Sequence, residues 1–292
     1  MLGIDVPIVQ APVTSDPALP LAVAAAGALG MVQASWTDDV AGTVGAVKDA
    51  GVGVNFVLEW QMEERLEQAL AAGAHTVSFF WGDAASLTER AKAAGATVLV
   101  TVATAEEAKR AEAAGADVIV AQGWEAGGHV WGEITTAVLV PAVVDAVSVP
   151  VVAAGGIGDG RGLAAVLALG ADGAWIGTRF VASVESTHVY KERILAARET
   201  DAIYTRVFSA GWPAPHRVLR NAALAAGEER PPSEPHDESQ LETAALYAGQ
   251  SAALVNDVKP AAQIVRDLVD EAEAALRKAS GAVDVALERP AE

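Results

Sequence analysis

One histidine stands in an unusual setting, the loop Gln122-Gly123-Trp124-Glu125-Ala126-Gly127-Gly128-His129-Val130-Trp131-Gly132. A glycine-rich loop adds little to core packing. An imidazole with an unperturbed pKa near ~6.5 can exchange a proton or donate a hydrogen bond near neutrality. His129 is therefore the candidate catalytic group; the plainer reading is a ring that only bonds a loop carbonyl. Two further glycine turns suit anions. In Ala154-Gly155-Gly156-Ile157-Gly158-Asp159-Gly160, backbone N–H groups and the positive end of the following Ala-Leu helix can approach a phosphate closely. Its spacing is not G-x-G-x-x-G, so it does not encode a Rossmann dinucleotide turn. In Trp175-Ile176-Gly177-Thr178-Arg179-Phe180, a glycine, a hydroxyl and a cation follow one another, an order that also fits a phosphate; the alternative for Arg179 is a surface or pairing cation. Weaker candidates lie earlier. Backbone at Ala11 and Pro12 could line the edge of a planar cofactor ring, and the Asn55 amide in Gly53-Val54-Asn55-Phe56 could serve a phosphate or ring heteroatoms. His75, His188, His216 and His236 lack such surroundings and read as structural or exposed.

These loops recur because the chain repeats a strand-helix rhythm. Ala-Gly-Ala occurs at Gly27, Gly73, Gly95 and Gly115, with Gly51 and Gly170 in related settings. Each glycine follows an Ala-rich helical stretch and precedes a short apolar run, where a helix C-cap calls for positive φ. The predicted strands are Ile8–Ala11, Gly30–Ala34, Val52–Val57, Thr76–Phe80, Thr97–Val102, Asp117–Ala121, Val149–Ala154 and Gly173–Gly177. Most are near-continuous apolar runs, as expected where helices cover a parallel sheet. Thr37 and Thr104 are the predicted N-caps of the helices that follow them. The pattern points to an α/β fold, a (β/α)₈ TIM barrel over 1–197, rather than a doubly wound open sheet, because no glycine follows the first strand. Active sites of such barrels lie at the C-terminal ends of the strands, and phosphates sit after the seventh and eighth. A helix near Val189–Ala197 closes the rhythm. Residues 198–279 form a C-terminal helical extension that packs on or caps the barrel, with helices expected at Leu241–Val255 and Ala261–Ala279. Glu228–Glu238 is an exposed Pro/Glu-rich loop, and 280–292 are expected to fray as a disordered tail.

The 292 residues are 52% hydrophobic, enough for a large core, and carry a net charge of −18, which argues against a broad nucleic-acid interface. The absence of cysteine removes disulfides, zinc-thiolate sites and a catalytic thiol, and no metal site is expected. Ala18–Val32 is apolar, but no Lys or Arg precedes it and it contains Pro20, Gly27 and Gly30; a buried helix and strand fit it better than a leader or a membrane span. A cytoplasmic location without membrane contact is the expectation.

In their order and separation, Gln122-Gly-x-Glu-Ala-Gly-Gly-His129, Ala154-Gly-Gly-Ile157 and Gly177-Thr-Arg-Phe180 resemble the nitronate monooxygenase family, formerly 2-nitropropane dioxygenases. The resemblance runs from about Pro7 to about Ala197 and returns at Tyr247-Ala-Gly-Gln-Ser251. It implies FMN as cofactor, held by Asn55, Gln122, Gly127, Gly128, Gly155, Gly156 and the stretch Trp175, Ile176, Gly177 and Thr178, with Ala11 and Pro12 at the ring edge and His129 beside the flavin. The implied reaction oxidises a small-molecule alkyl nitronate with O₂ to a carbonyl compound and nitrite, with His129 orienting the substrate or removing an α-proton. A homodimer is one assembly compatible with this. Two departures stand out: Val130-Trp131 places bulk before Gly132, and Trp175 stands where a glutamine is common. The related FMN-dependent enoyl-[acyl carrier protein] reductases share the Glu-Ala-Gly-Gly-His motif, and an acidic chain suits an acidic carrier poorly. A flavin-binding protein without turnover is a third reading. Inosine-monophosphate-type barrels need a cysteine that this chain lacks.

Overall fold

The computed structural model describes residues 2–287. Eight parallel strands form one sheet: β1 (Ile8–Gln10), β2 (Met31–Gln33), β3 (Gly53–Val57), β4 (Thr76–Phe80), β5 (Thr97–Val102), β6 (Val118–Gln122), β8 (Val151–Ala154) and β9 (Gly173–Ile176). The two-residue β7 (Gly128–His129) belongs to a second sheet described below. Neighbours follow chain order from β2 to β9, and β1 pairs with β9, Ile8 opposite Ala174. A parallel bridge between Val9 and Leu29 brings β1 back beside β2 and closes the barrel. Each strand lies within two residues of its expected span. Val54, Phe56, Val77, Phe79, Val98 and Ile119 form part of the buried layer between strands and helices, while Val9, Met31, Leu99, Val120 and Val152 fill a separate cluster.

The helices that alternate with these strands are α1 (Ala18–Ala24), α2 (Val40–Gly45), α3 (Glu63–Ala71), α4 (Ala85–Ala93), α5 (Ala105–Ala113), α6 (Thr136–Val144) and α7 (Gly160–Ala168). After β9 come the short α8 (Thr178–Val181), α9 (Lys191–Leu195) and α10 (Ala222–Ala226), then the long α11 (Ala261–Leu287). Their ends obey the local chemistry. α5 begins at Thr104, whose hydroxyl accepts from the Glu107 N–H. For α2 the cap is Asp39 rather than Thr37: the Asp39 carboxylate accepts from the Gly42 N–H, and Thr37 Oγ1 lies 3.2 Å from Thr43 Oγ1. Gly73 and Gly115 end their helices at φ of 101° and 99°, a left-handed turn that a Cβ would strain.

The C-terminal region departs from the expected pair of helices. β10 (Ala202–Thr205) and β11 (His216–Leu219) form an antiparallel ladder that β7 joins, His216 opposite His129 and Arg217 opposite Gly128. Leu241–Val255 is not an α-helix. The Leu246 carbonyl accepts from the Leu219 N–H and Tyr247 bridges Val218, so this backbone is spent on the small sheet; a 3₁₀ turn follows at Gln250–Leu254. α11 runs past Ala279. It packs against α7 and α1, in the place where the barrel's last helix belongs. Ile264, Leu268 and Ala272 are buried as their spacing predicts, but Leu276 is exposed. The part of the expected tail at 288–292 lies outside the described residues.

Candidate active site

The loops at the C-terminal ends of the strands enclose one cavity of about 1110 Å³. Ala11, Pro12, Asn55, Gln122, Gly127, Gly128, His129, Gly155, Gly156, Trp175, Gly177 and Thr178 all line it. Ile176 does not. It is buried in the barrel wall, where its carbonyl accepts from the Ala11 N–H.

The two glycine turns meet on one side of this space. Gly155 and Gly156 have φ of 98° and 76°, and a Cβ on Gly155 would stand 3.0 Å from the Ala126 nitrogen and the Gly123 oxygen. The N–H groups of Gly156 and Ile157 donate to no protein acceptor among the described residues. Thr178 opens a helical turn, so its N–H likewise has no intrahelical partner, and its Oγ1 accepts from the Gly249 N–H at 2.9 Å. The far half of the first loop is committed to α11 instead. A Cβ on Gly160 would meet Glu271 Cβ at 2.3 Å, and the Gly160 N–H donates to Glu271 Oε2. Arg179 does not line this space. Its side chain is buried and paired with Asp257, Nη2 to Oδ1 at 2.6 Å with a second bond to the Asp257 carbonyl, away from the cavity. Burial lowers its pKa, and Asp257 opposes that shift.

Gln122 and Asn55 are partly committed to the protein. Gln122 Nε2 donates to the His129 carbonyl at 3.1 Å and Oε1 accepts from the Trp131 N–H at 2.9 Å, so this amide fixes the histidine loop. Asn55 Oδ1 accepts from Ser78 Oγ at 2.7 Å, and its amide nitrogen has no partner among the described residues. Glu125 is an internal brace: its Oε2 accepts from both the N–H and the hydroxyl of Thr136, at the start of α6. Trp131 turns from the cavity, its indole N–H on Glu107 at 2.9 Å, and Val130 is buried, so neither intrudes on the pocket.

His129 sits in a nest of rings. Its imidazole stacks on Trp212 with centroids 3.8 Å apart; Tyr247 is at 5.5 Å and His216 at 5.6 Å. Burial, reinforced by the nearby His216, lowers its pKa to about 3, so the ring is neutral at physiological pH. His129 Nε2, Trp212 Nε1 and Tyr247 Oη are buried polar atoms with no hydrogen-bond partner among the described residues. Burial also pushes the Tyr247 hydroxyl up, which keeps it a proton donor.

Several of these residues escaped the sequence reading. Arg217, opposite Gly128, is fully buried. It donates to the carbonyls of Trp124 at 2.7 Å, Ala126 at 3.2 Å and Ala202 at 3.3 Å, and lies 4.3 Å over the Trp124 ring. His188 and His236 line the cavity, and His188 Nε2 lies 3.2 Å from Glu234 on the strap 232–236. His216 is structural, its Nε2 accepting from the Phe208 N–H and its Nδ1 3.1 Å from the Ala214 carbonyl.

The nitronate monooxygenase family model matches residues 36–271, a span that includes the histidine loop and both glycine turns opening on this cavity. The chain belongs to the nitronate monooxygenase family. Members are flavin oxidoreductases on a TIM barrel. Among curated relatives, a (3aS,4S,5R,7aS)-5-hydroxy-7a-methyl-1-oxo-octahydro-1H-indene-4-carboxyl-CoA dehydrogenase of Mycobacterium tuberculosis (strain ATCC 25618 / H37Rv) is 38% identical over 234 residues, 75% of this chain and 64% of that protein. The chain thus spans just under two thirds of that relative's length. Among solved structures, FabK from Thermotoga maritima superposes with a TM-score of 0.84 at 34% identity, covering 96% of both chains. A nitroalkane oxidase from Streptomyces ansochromogenes gives 0.81 at 30%, covering 95% of this chain and 98% of the other. Among the described residues, no helix is long and apolar enough to cross a membrane, and no cluster of metal-ligating side chains occurs.

Proposed function

We propose that this family member is an FMN-dependent nitronate monooxygenase, oxidising alkyl nitronates with O₂ to a carbonyl compound and nitrite. The fit to FMN rests on the unpartnered N–H groups of Gly156, Ile157 and Thr178 and on the Cβ-free approach at Gly155. These amides would take the phosphate, while Ala11, Pro12 and Asn55 would flank the ring. Bound FMN supplies a reversible electron acceptor and its reaction with O₂.

The observation that carries the substrate reading is the trio of unpartnered polar atoms on His129, Trp212 and Tyr247. A buried donor without an acceptor costs about 1–3 kcal/mol. Because His129, Trp212 and Tyr247 all line the cavity, a compact head group with two oxygens would satisfy these donors once the side chains turn their polar atoms toward it. With its pKa near 3, His129 is a hydrogen-bonding partner and a poor base. That favours a substrate arriving as the nitronate anion over a nitroalkane that must first lose its α-proton.

The competing reading, a reductase using NAD(P)H and a thioester, meets an obstacle in the cavity lining. Among the described residues no Arg or Lys lines the space; the charged groups there are Asp16 and Glu234, beside His129, His188, His236, Tyr190 and Tyr247. The phosphates of a nicotinamide cofactor or a pantetheine arm would find no cation, and the main-chain N–H groups of Gly156, Ile157 and Thr178 that could replace one are the groups that FMN would occupy. The decisive experiment adds FMN to purified protein and scores nitrite from propionate 3-nitronate or ethyl nitronate in air against NADH oxidation and enoyl-thioester turnover. Yellow protein that releases nitrite supports the proposal. NADH bleaching without nitrite refutes it, and neither activity with FMN bound identifies a flavin-binding protein without turnover. His129→Asn should keep the colour and lower turnover at least tenfold; unchanged turnover removes His129 from the reaction.

A further inference from the structure

The chain has seven tryptophans among only fifteen aromatic residues (7 Trp, 3 Tyr, 5 Phe), and five of them, Trp36, Trp60, Trp81, Trp131 and Trp212, form one contact group. The loops after β2, β3 and β4 each plant one at the barrel mouth: Trp36, Trp60 and Trp81. Trp212 comes from the hairpin between β10 and β11 and joins them. From the stack on His129 the rings run outward edge to face, Trp212 to Trp60 at 5.1 Å and Trp60 to Trp36 at 5.8 Å. Trp81 buttresses the inner end, 5.3 Å from Trp212, and holds a φ of 67°, a backbone conformation that a bulky residue adopts only under constraint. The outer rings lie bare: Trp36 is 52% exposed and Trp60 43% exposed, and both line the cavity that holds His129. Single exposed apolar side chains need no explanation. A continuous file of indoles from solvent to the candidate catalytic group does, because fixed aromatic faces on a cavity wall recognise flat apolar matter.

We infer that the substrate carries its head group on a flat apolar ring system, which stacks on the face of one of Trp60 and Trp36 and meets the other edge-on, while the head group reaches His129. This rests on the nitronate reading for the identity of the head group only. The platform itself follows from the rings, since Trp36 and Trp60 line the same cavity as His129, and among the described residues no Arg or Lys lines it to take a charged tail.

Carboxylates share the planar two-oxygen head of a nitronate and do not turn over, so binding can be read apart from activity. On FMN-loaded protein, calorimetry compares 2-naphthylacetate with propionate. The naphthyl ligand is expected to bind about tenfold tighter or better, the worth of an aromatic contact plus ring burial. Trp36→Ala and Trp60→Ala should each erode that ratio, and His129→Asn should preserve it while weakening both ligands alike. Trp36 is more than half exposed, so its loss does not threaten folding and keeps the test usable if Trp60→Ala fails to fold. Equal affinity for the two carboxylates, or a preference unchanged in Trp36→Ala, overturns the inference. Ring preference without nitrite release from any nitronate would uphold the platform and refute the nitronate reading; nitrite release from ethyl nitronate without ring preference would do the reverse.

Discussion

The buried imidazole of His129 makes stability depend on acid in a way that can be separated from the carboxylates. In the unfolded chain a histidine takes up a proton near pH 6.5, whereas in the fold His129 resists protonation down to about pH 3. Its folded pKa is depressed. Stability is therefore full above about pH 6.5 and falls as the pH drops through the window towards 3, where the unfolded chain binds a proton that the native state does not. One unit of displacement is worth about 1.4 kcal/mol, and the unfolded group is half protonated at the start of the window. Between about pH 6.5 and about pH 4.5 this single residue should cost roughly 2 kcal/mol. Urea melts of wild type and His129→Asn at several pH values across that range isolate the contribution, because every other titrating group is common to both. His216, lowered to about 4 chiefly by burial, remains in the variant and gives it a residual slope. Wild type should lose roughly 2 kcal/mol more than the variant over the two units. Parallel curves would refute the argument, by showing that His129 is solvated or already paired in the native protein.

Two further substitutions probe the scaffold. Gly127→Ala would press a Cβ to within 2.3 Å of the Gly249 nitrogen and 2.5 Å of the Ala248 carbonyl carbon, both main chain, so it should destabilise by about 2 kcal/mol in chemical melts and reduce FMN retention; Gly177→Ala meets only ordinary contacts at 3.4 Å and should fold normally. Arg217→Met should lower stability by about 3 kcal/mol, because the carbonyls of Trp124, Ala126 and Ala202 lose their donor, and Arg217→Lys should not rescue it, since one ammonium cannot span all three; a Lys variant with wild-type melting and flavin affinity would refute the bracing role.

The barrel was legible because its strands are short apolar runs punctuated by glycines that end helices, a signal carried by neighbours in sequence. The histidine loop and the two glycine turns were legible for the same reason. What failed depended on distant partners. Gly177-Thr-Arg179 has the order of a phosphate loop, but Asp257, far along the chain, claims the guanidinium. Leu241–Val255 has helical composition, yet its backbone finds acceptors and donors on β11 and the edge of the histidine loop. β7 is two residues long and has no strand signal at all; only Ala202–Thr205 and His216–Leu219, separated by Gly211, Pro213 and Pro215, offered a hairpin that could have been noticed. The tryptophans were visible as residues but not as a file, since their alignment is a property of the barrel's loop ends.

Because α11 rather than a segment next to β9 seals the helical ring, the barrel is topologically interrupted: the small sheet and its strap are spliced between the eighth barrel strand and its covering helix. A growing polypeptide would expose the apolar flanks of α1 and α7 to water or to chaperones until α11 had emerged. The same helix grasps Gly160, so the nearby glycine turn is firm only once α11 has been made. If FMN is the cofactor, as proposed, its capture should then follow completion of the ring rather than guide it.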